Sequence, residues 1–170
     1  PATMVLPALP FGPGDRAPTP TGTMIIRTLQ GKMKNYWDGG VCPVDVRDVA
    51  KGHVLAMEKG RIGESYILGN SSSNMTNQEF LQLVGRVAGV PNVATKEVPV
   101  KTMLTVAKVA EGLSKITGKA PMTTYKNPMF VTKHCYVDAS KAINELGLPQ
   151  SPIEKAVEES IEWFRANNYV

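Results

Sequence analysis

Apolar residues recur every third or fourth position in four stretches, and each stretch predicts an amphipathic helix. Within VPVKTMLTVAKVAEGLSKITGK, Met103, Leu104, Ala107, Ala110 and Leu113 fall on one face, while Lys101, Lys108 and Lys115 line another. Phe80, Leu83, Val84 and Val87 form a second stripe, with Thr76 and Glu79 set as a capping box ahead of it. RDVAKGHVLAMEKG carries Asp48 near its start and Lys59-Gly60 at its end, the order that caps and the helix dipole favour. Ile153, Val157, Ile161 and Phe164 make the last stripe. Ser151, Pro152 and Glu154 are expected to open that helix as cap, first-position proline and capping-box acid. Shorter helices are expected in GTMIIRTLQGKM, stopped near Gly31, and in DASKAINELG, stopped by Gly147.

Strand signals are sparser. Residues 2–8 read as a short buried strand running into a Pro/Gly loop, and ESYILGN alternates weakly. KNYWDGGVCPVDV is expected to form a hairpin turning at Asp38-Gly39-Gly40. Residues 120–137 read as irregular, with an extended piece at KHCYVD. The chain is too helix-rich, and too short of parallel strands, to be a whole doubly wound domain.

One stretch imitates a nucleotide site. In FGPGDRA, Gly12, Gly14 and Ala17 stand in a G-x-G-x-x-A spacing after the apolar run MVLPALP. Pro13, however, has no N–H to turn toward a phosphate. Pro18 and Pro20 occupy the place of the required helix, where an interior proline costs about 3 kcal/mol. The spacing is accidental.

Composition narrows the class. The chain has 170 residues, 42% hydrophobic and 20% charged, enough for one well-buried core. No apolar run approaches the ~20 residues of a membrane span, and PATMVLPALP lacks the basic leader of a signal peptide. Two distant cysteines, Cys42 and Cys135, make no disulfide framework, so a cytoplasmic location is expected. The net charge of +4 is too mild to point to nucleic acid. Lys101, Lys108, Lys115, Lys119, Lys126 and Lys133 meet only Glu111 between them, as a solvated face or as a surface for an anionic substrate or lipid. A first residue other than Met suggests a part upstream.

Candidate chemistry within the chain is thin. His53, His134, Cys42 and Cys135 show no C-x-x-C or H-x-x-x-H spacing, so no metal site is assigned. His134 and Cys135 are adjacent on an extended segment and point to opposite faces, which disqualifies them as a nucleophile pair. In a Tyr-x-x-x-Lys pair, one helical turn sets an ammonium beside a phenol. Tyr136 and Lys141 are one position too far apart, and Tyr36, Tyr66, Tyr125 and Tyr169 have no lysine four residues on. Neither Gly-x-Ser-x-Gly nor a phosphate-binding loop occurs. No catalytic residue is assigned.

Taken together, VLPALPFGPGDRAPTPTG, KMKNYWDGGVCPVDVRDVAKGHVLAMEKG, GESYILGNSSSNMTNQE and YVDASKAINELGLPQSPIEKAVEESIEWFRANNYV resemble the C-terminal half of an extended short-chain dehydrogenase/reductase. The branch is the NAD-dependent epimerase/dehydratase group, with dihydroflavonol-reductase-like enzymes and hopanoid-associated sugar epimerases. The resemblance implies an α/β fold. Residues 1–12 would be a late strand of a Rossmann sheet, and 13–170 the mostly helical substrate lobe with its crossover elements, lacking the N-terminal nucleotide-binding half. The glycine fingerprint and the catalytic Tyr/Lys pair would then lie upstream.

It further implies that Pro7, Ala8 and Leu9 face the nicotinamide of NAD or NADP in the complete enzyme, with no cofactor held by this chain alone. Phe11, Pro13, Asp15, Thr19 and Thr21 would border a small-molecule substrate, and Arg47 would stand at the rim. Expected partners are the missing Rossmann half, or another protein covering the orphaned strand, and a second copy of the chain. Two positions depart from the branch. Val41 falls near the place of an arginine that pairs with a diphosphate, which argues against a UDP-sugar and for a smaller carbonyl or hydroxyl compound. Leu9 replaces a small polar residue and leaves the pocket more apolar. The alternative is a stand-alone, non-catalytic module that binds a small molecule or a protein. In the isolated chain the strand at residues 2–8 is expected to expose apolar surface and an unpaired edge.

Overall fold

A computed structural model describes residues 1–117 and 132–170, without the side chains of 111–117. The side chains of Leu113 and Lys115, and the whole of Lys119, Tyr125 and Lys126, therefore lie outside the described residues, as does most of the stretch expected to be irregular. The extended segment at the start of the chain organises the sheet. Its first part, β1 (Met4–Pro7), pairs in parallel with β6 (Ser65–Leu68), and its second, β2 (Leu9–Phe11), pairs in parallel with β5 (Pro43–Asp45). The Ala8 N–H donates to the Leu68 carbonyl at 3.0 Å, and the next N–H, that of Leu9, donates to the Cys42 carbonyl at 3.1 Å. Consecutive amides of a strand point to opposite edges, so the two partners flank the segment on opposite sides.

Along β1 the edge away from β6 meets no strand among the described residues. The face is bare as well. Val5 turns inward onto the core with Tyr66 and Leu68, whereas Met4 is 58% and Leu6 45% exposed. The expectation of a buried strand is thus corrected: β1 is covered on one side only. The expected exposed apolar surface and open edge are present.

The inward face carries α2 (Val46–Lys59) and α5 (Ser140–Leu146), which enclose Val44, Val49, Tyr66, Leu68 and Leu146. Asp45 caps α2 by accepting from the Arg47 N–H at 2.8 Å. Beyond β2, α1 (Pro20–Leu29), α3 (Asn77–Ala88) and α6 (Ile153–Ala166) pack around Phe11, Ile25, Phe80, Ile161 and Phe164. Full burial of each such side chain contributes about 1.5–3 kcal/mol. The Thr76–Glu79 capping box is formed: the Glu79 N–H donates to Thr76 Oγ1 at 3.2 Å and the Thr76 N–H to Glu79 Oε2 at 2.8 Å. A smaller cluster of Met33, Leu81, Val93 and Ala94 packs against Met24, Tyr36 and Trp37, and α4 (Val100–Thr117) follows in the chain.

Two local expectations are overturned. KNYWDGGVCPVDV is not a hairpin. β3 (Asn35–Tyr36) pairs in parallel with β8 (Lys96–Glu97), and β4 (Gly40–Val41) pairs antiparallel with β7 (Met75–Thr76). Gly40 is there for close packing rather than for a tight turn, because a Cβ would overlap the Tyr136 ring. Nor does Ser151 cap the last helix. Pro152 takes the cap position without a side-chain bond, because the Ser151 hydroxyl is committed to Asp48, 3.0 Å away.

Candidate functional site

The loop from β2 into α1 encloses a cavity of about 240 Å3 at the carboxyl end of the parallel strands, the place where open parallel sheets hold ligands. Phe11, Pro13, Asp15, Thr19 and Thr21 all line it, with Val46 from α2 and Ser160 and Phe164 from α6. Five of the six substrate-side residues expected from sequence therefore meet in one place.

Three of these form one hydrogen-bonded unit. The Asp15 carboxylate accepts from the Thr19 N–H at 3.0 and 3.1 Å and from the Thr19 hydroxyl at 2.8 Å. Thr19 Oγ1 in turn accepts from the Gly22 N–H at 3.2 Å and lies 2.9 Å from Thr21 Oγ1. Thr19 is thus the N-cap of α1, and Asp15 holds the cap, a favourable place for a negative charge. Gly22 permits the approach, since a Cβ there would overlap the Asp15 carboxylate. The Ser160 hydroxyl bonds the Ala156 carbonyl at 2.8 Å. The cavity wall is built to fix shape.

Arg47, the sixth candidate, does not line this cavity. Its guanidinium lies 2.5 Å from Asp45 Oδ2 and 2.7 Å from Glu159 Oε2. Burial opposes ionisation of Asp45, yet the hydrogen bonds from Arg47 hold its carboxyl below the ordinary range. Arg47 ties α2 to α6, and nothing in the spacing of the sequence signalled Glu159 as its partner.

Pro7, Ala8 and Leu9 sit at the junction where pairing passes from β6 to β5. Pro7 has no N–H, and the amides of Ala8 and Leu9 are spent in the sheet, so these residues have no free N–H to donate. Elsewhere, the Cys42 thiol is pushed up by burial and donates to the Asn70 carbonyl at 3.3 Å. His53 bonds the Val49 carbonyl, and His134 stands 3.6 Å from Asp38 on the surface. No group of three or more His, Cys, Asp or Glu among the described residues is placed to hold a metal ion. Lys141 pairs with Glu64 at 2.6 Å and lies 4.8 Å over the Tyr66 ring, while Tyr136 packs against Gly40.

A larger cavity, about 530 Å3, opens on the other side of the first turn of α1. Pro18, Pro20 and Thr23 face it, alternating with the Thr19, Thr21 and Gly22 of the smaller one. Sequence reasoning missed it, because its wall joins α1, the segment around Trp37 and the start of α4, which are far apart along the chain.

No protein-family model matches the chain. Over 98% of its length it is 39% identical to a Synechocystis sp. protein named as a dihydroflavonol 4-reductase, of which it covers 49%. The solved structure of gox2253 superposes with a TM-score of 0.80 at 37% identity, covering all of this chain and 51% of that one. A nucleoside-diphosphate-sugar epimerase from Pseudomonas aeruginosa superposes with a TM-score of 0.76 at 25% identity, over 99% of this chain and 49% of the other. The chain spans about half the length of the curated relatives it matches. No helix among the described residues is long and apolar enough to cross a membrane.

Proposed function

Because the chain belongs to the extended short-chain dehydrogenase/reductase family and has the fold of its C-terminal half, we propose that it is the substrate lobe of an NAD(P)-dependent oxidoreductase or epimerase. The complete enzyme acts on a secondary alcohol or ketone. The observation that carries the reading is β1, a parallel strand with one neighbour among the described residues and a bare apolar face. Parallel sheets are stable with both faces covered, and a nucleotide-binding half would supply both the missing strand and the missing cover.

Residues 1–12 contribute the late strand and 13–170 the lobe. NAD(P), when bound, accepts or returns the hydride; crystal structures of fold relatives contain NAD or NADPH. Pro7, Ala8 and Leu9 pack against the nicotinamide and keep water from it, which suits their lack of free donors. Phe11, Pro13, Asp15, Thr19 and Thr21 bound the substrate on a wall fixed by the Asp15–Thr19 cap. The acid/base pair belongs to the half that covers β1. Arg47 serves the lobe as a tie between helices, without contact to substrate.

Calorimetric titration with NAD and NADP tests this reading on the isolated chain and on the full-length gene product. The expected outcome is binding and oxidation of a secondary alcohol by the full-length product only. Micromolar binding by the isolated chain would overturn the placement of the cofactor site in the other half.

A further inference from the structure

α1 ends in a hydrogen-bonded stop that joins two basic positions. The Lys32 N–H donates to the Arg27 carbonyl and the Gly31 N–H to the Thr28 carbonyl, both at 2.9 Å. Gly31 takes φ +67°, the left-handed conformation this stop requires. The two positions so juxtaposed are ordinarily spent on an apolar contact. Here they are Arg27 and Lys32, and neither side chain makes an ion pair among the described residues. Two basic residues at positions that usually share an apolar contact break a local rule, and such breaks concentrate where function requires them.

Both cations line the 530 Å3 cavity, whose remaining wall includes Met24, Met33, Met103 and Trp37. The volume falls in the range of small-molecule sites, roughly 300–1,000 Å3. Methionines adapt their shape to an apolar guest, and an indole offers a flat face. We infer that this cavity binds a small anionic amphiphile. Its ring-bearing apolar body lies against the methionines and Trp37, and its anionic group lies between Arg27 and Lys32. The inference rests on the substrate-lobe reading and adds to it a second ligand site, across the first turn of α1 from the cavity that bounds the substrate. A guanidinium beside an ammonium suits an oxyanion, which both can hydrogen-bond with charge assistance.

The test compares naphthoate with naphthalenemethanol, matched in ring and differing in charge, by calorimetry on the full-length gene product at low salt. The acid is expected to bind at least about tenfold more tightly than the alcohol. Arg27→Gln with Lys32→Gln should bring the acid down to the affinity of the alcohol and leave the alcohol unchanged. Met24→Trp, which fills the cavity, should abolish both. Equal affinities in the parent, or a preference for the acid that survives loss of both cations, would overturn the site. An enzyme active on neutral ketones without acid preference refutes the site alone. Acid-selective binding by a protein with no NAD(P) chemistry refutes the catalytic reading alone.

Discussion

The buried carboxylate of Asp48 accepts two hydrogen bonds from Ser151, 2.7 Å from its N–H and 3.0 Å from its hydroxyl. Asp48 belongs to α2 against the sheet, and Ser151 belongs to the turn that launches α6 into the lobe. Asn70 and Gln150 brace the same corner, through Asn70 Nδ2 to the Ser151 carbonyl at 2.8 Å and Gln150 Nε2 to the Gly69 carbonyl at 3.1 Å. The Arg47–Glu159 ion pair crosses from α2 to α6 starting from the residue next to Asp48. Sheet and lobe are thereby held in one orientation, and the cavity at the end of β2 depends on it.

Asp48→Ala leaves the Ser151 N–H without its acceptor, and a buried unpaired donor costs about 1–3 kcal/mol. Ser151→Ala keeps the main-chain bond and should cost about 1 kcal/mol. Urea denaturation of the two variants should show this order with an unchanged slope. A milder effect from Asp48→Ala than from Ser151→Ala would show that the main-chain bond is not the one that matters.

Gly22→Ala would push a methyl into the Asp15 carboxylate and to within 2.9 Å of the Phe164 ring. Overpacking of this kind costs about 1–3 kcal/mol. Most of the obstruction is the carboxylate, so Gly22→Ala in an Asp15→Ala background should cost less than in the parent, by at least about 0.5 kcal/mol. Strict additivity in thermal melts would mean that Phe164 alone sets the spacing.

Much of the lobe was legible in the sequence because its helices carry their own punctuation. The Thr76–Glu79 box, Gly147 and the stripe from Ile153 to Phe164 are local signals, and each appears where the spacing puts it. The errors came where a distant residue outbids a local one. Ser151 caps nothing because Asp48, 103 residues away along the chain, claims its hydroxyl. The Asp38-Gly39-Gly40 turn signal fails because β3, β4 and β5 each find a partner far along the chain. Phe11, Pro13, Asp15, Thr19 and Thr21, expected at the substrate from a resemblance, line one cavity. Arg47 did not follow, since Asp45 and Glu159 occupy its guanidinium.

Stability should fall in acid through the surface network around Tyr66. Hydrogen bonds from Arg61 and from the Tyr66 hydroxyl hold the Glu145 carboxyl below its ordinary value of 4.5. A carboxyl depressed in the folded state stabilises fully above that value, and the contribution is lost as pH falls through the folded pKa. Glu145→Gln should therefore be less stable than the parent near neutrality, with the gap closing below about pH 4. Urea midpoints across that range are the check, and a gap independent of pH would assign the effect to packing.

The bare side of β1 makes opposite demands on the chain alone and on the full-length protein. In the chain alone Met4 and Leu6 stand in water above Ser65 and Ile67, their register partners on β6. An open edge under an apolar face invites association. Met4→Lys with Leu6→Lys should therefore reduce self-association, with a change in unfolding free energy within about 0.5 kcal/mol. On the proposed reading the nucleotide-binding half covers the same face, so two buried ammonium groups would lack partners, and destabilisation of the full-length protein should exceed about 3 kcal/mol. Sedimentation velocity on the chain and thermal melts on the full-length protein read the two effects separately. Equal tolerance in both would mean that the nucleotide-binding half leaves this face open, and the reading of β1 as an inner strand of a larger sheet would fail.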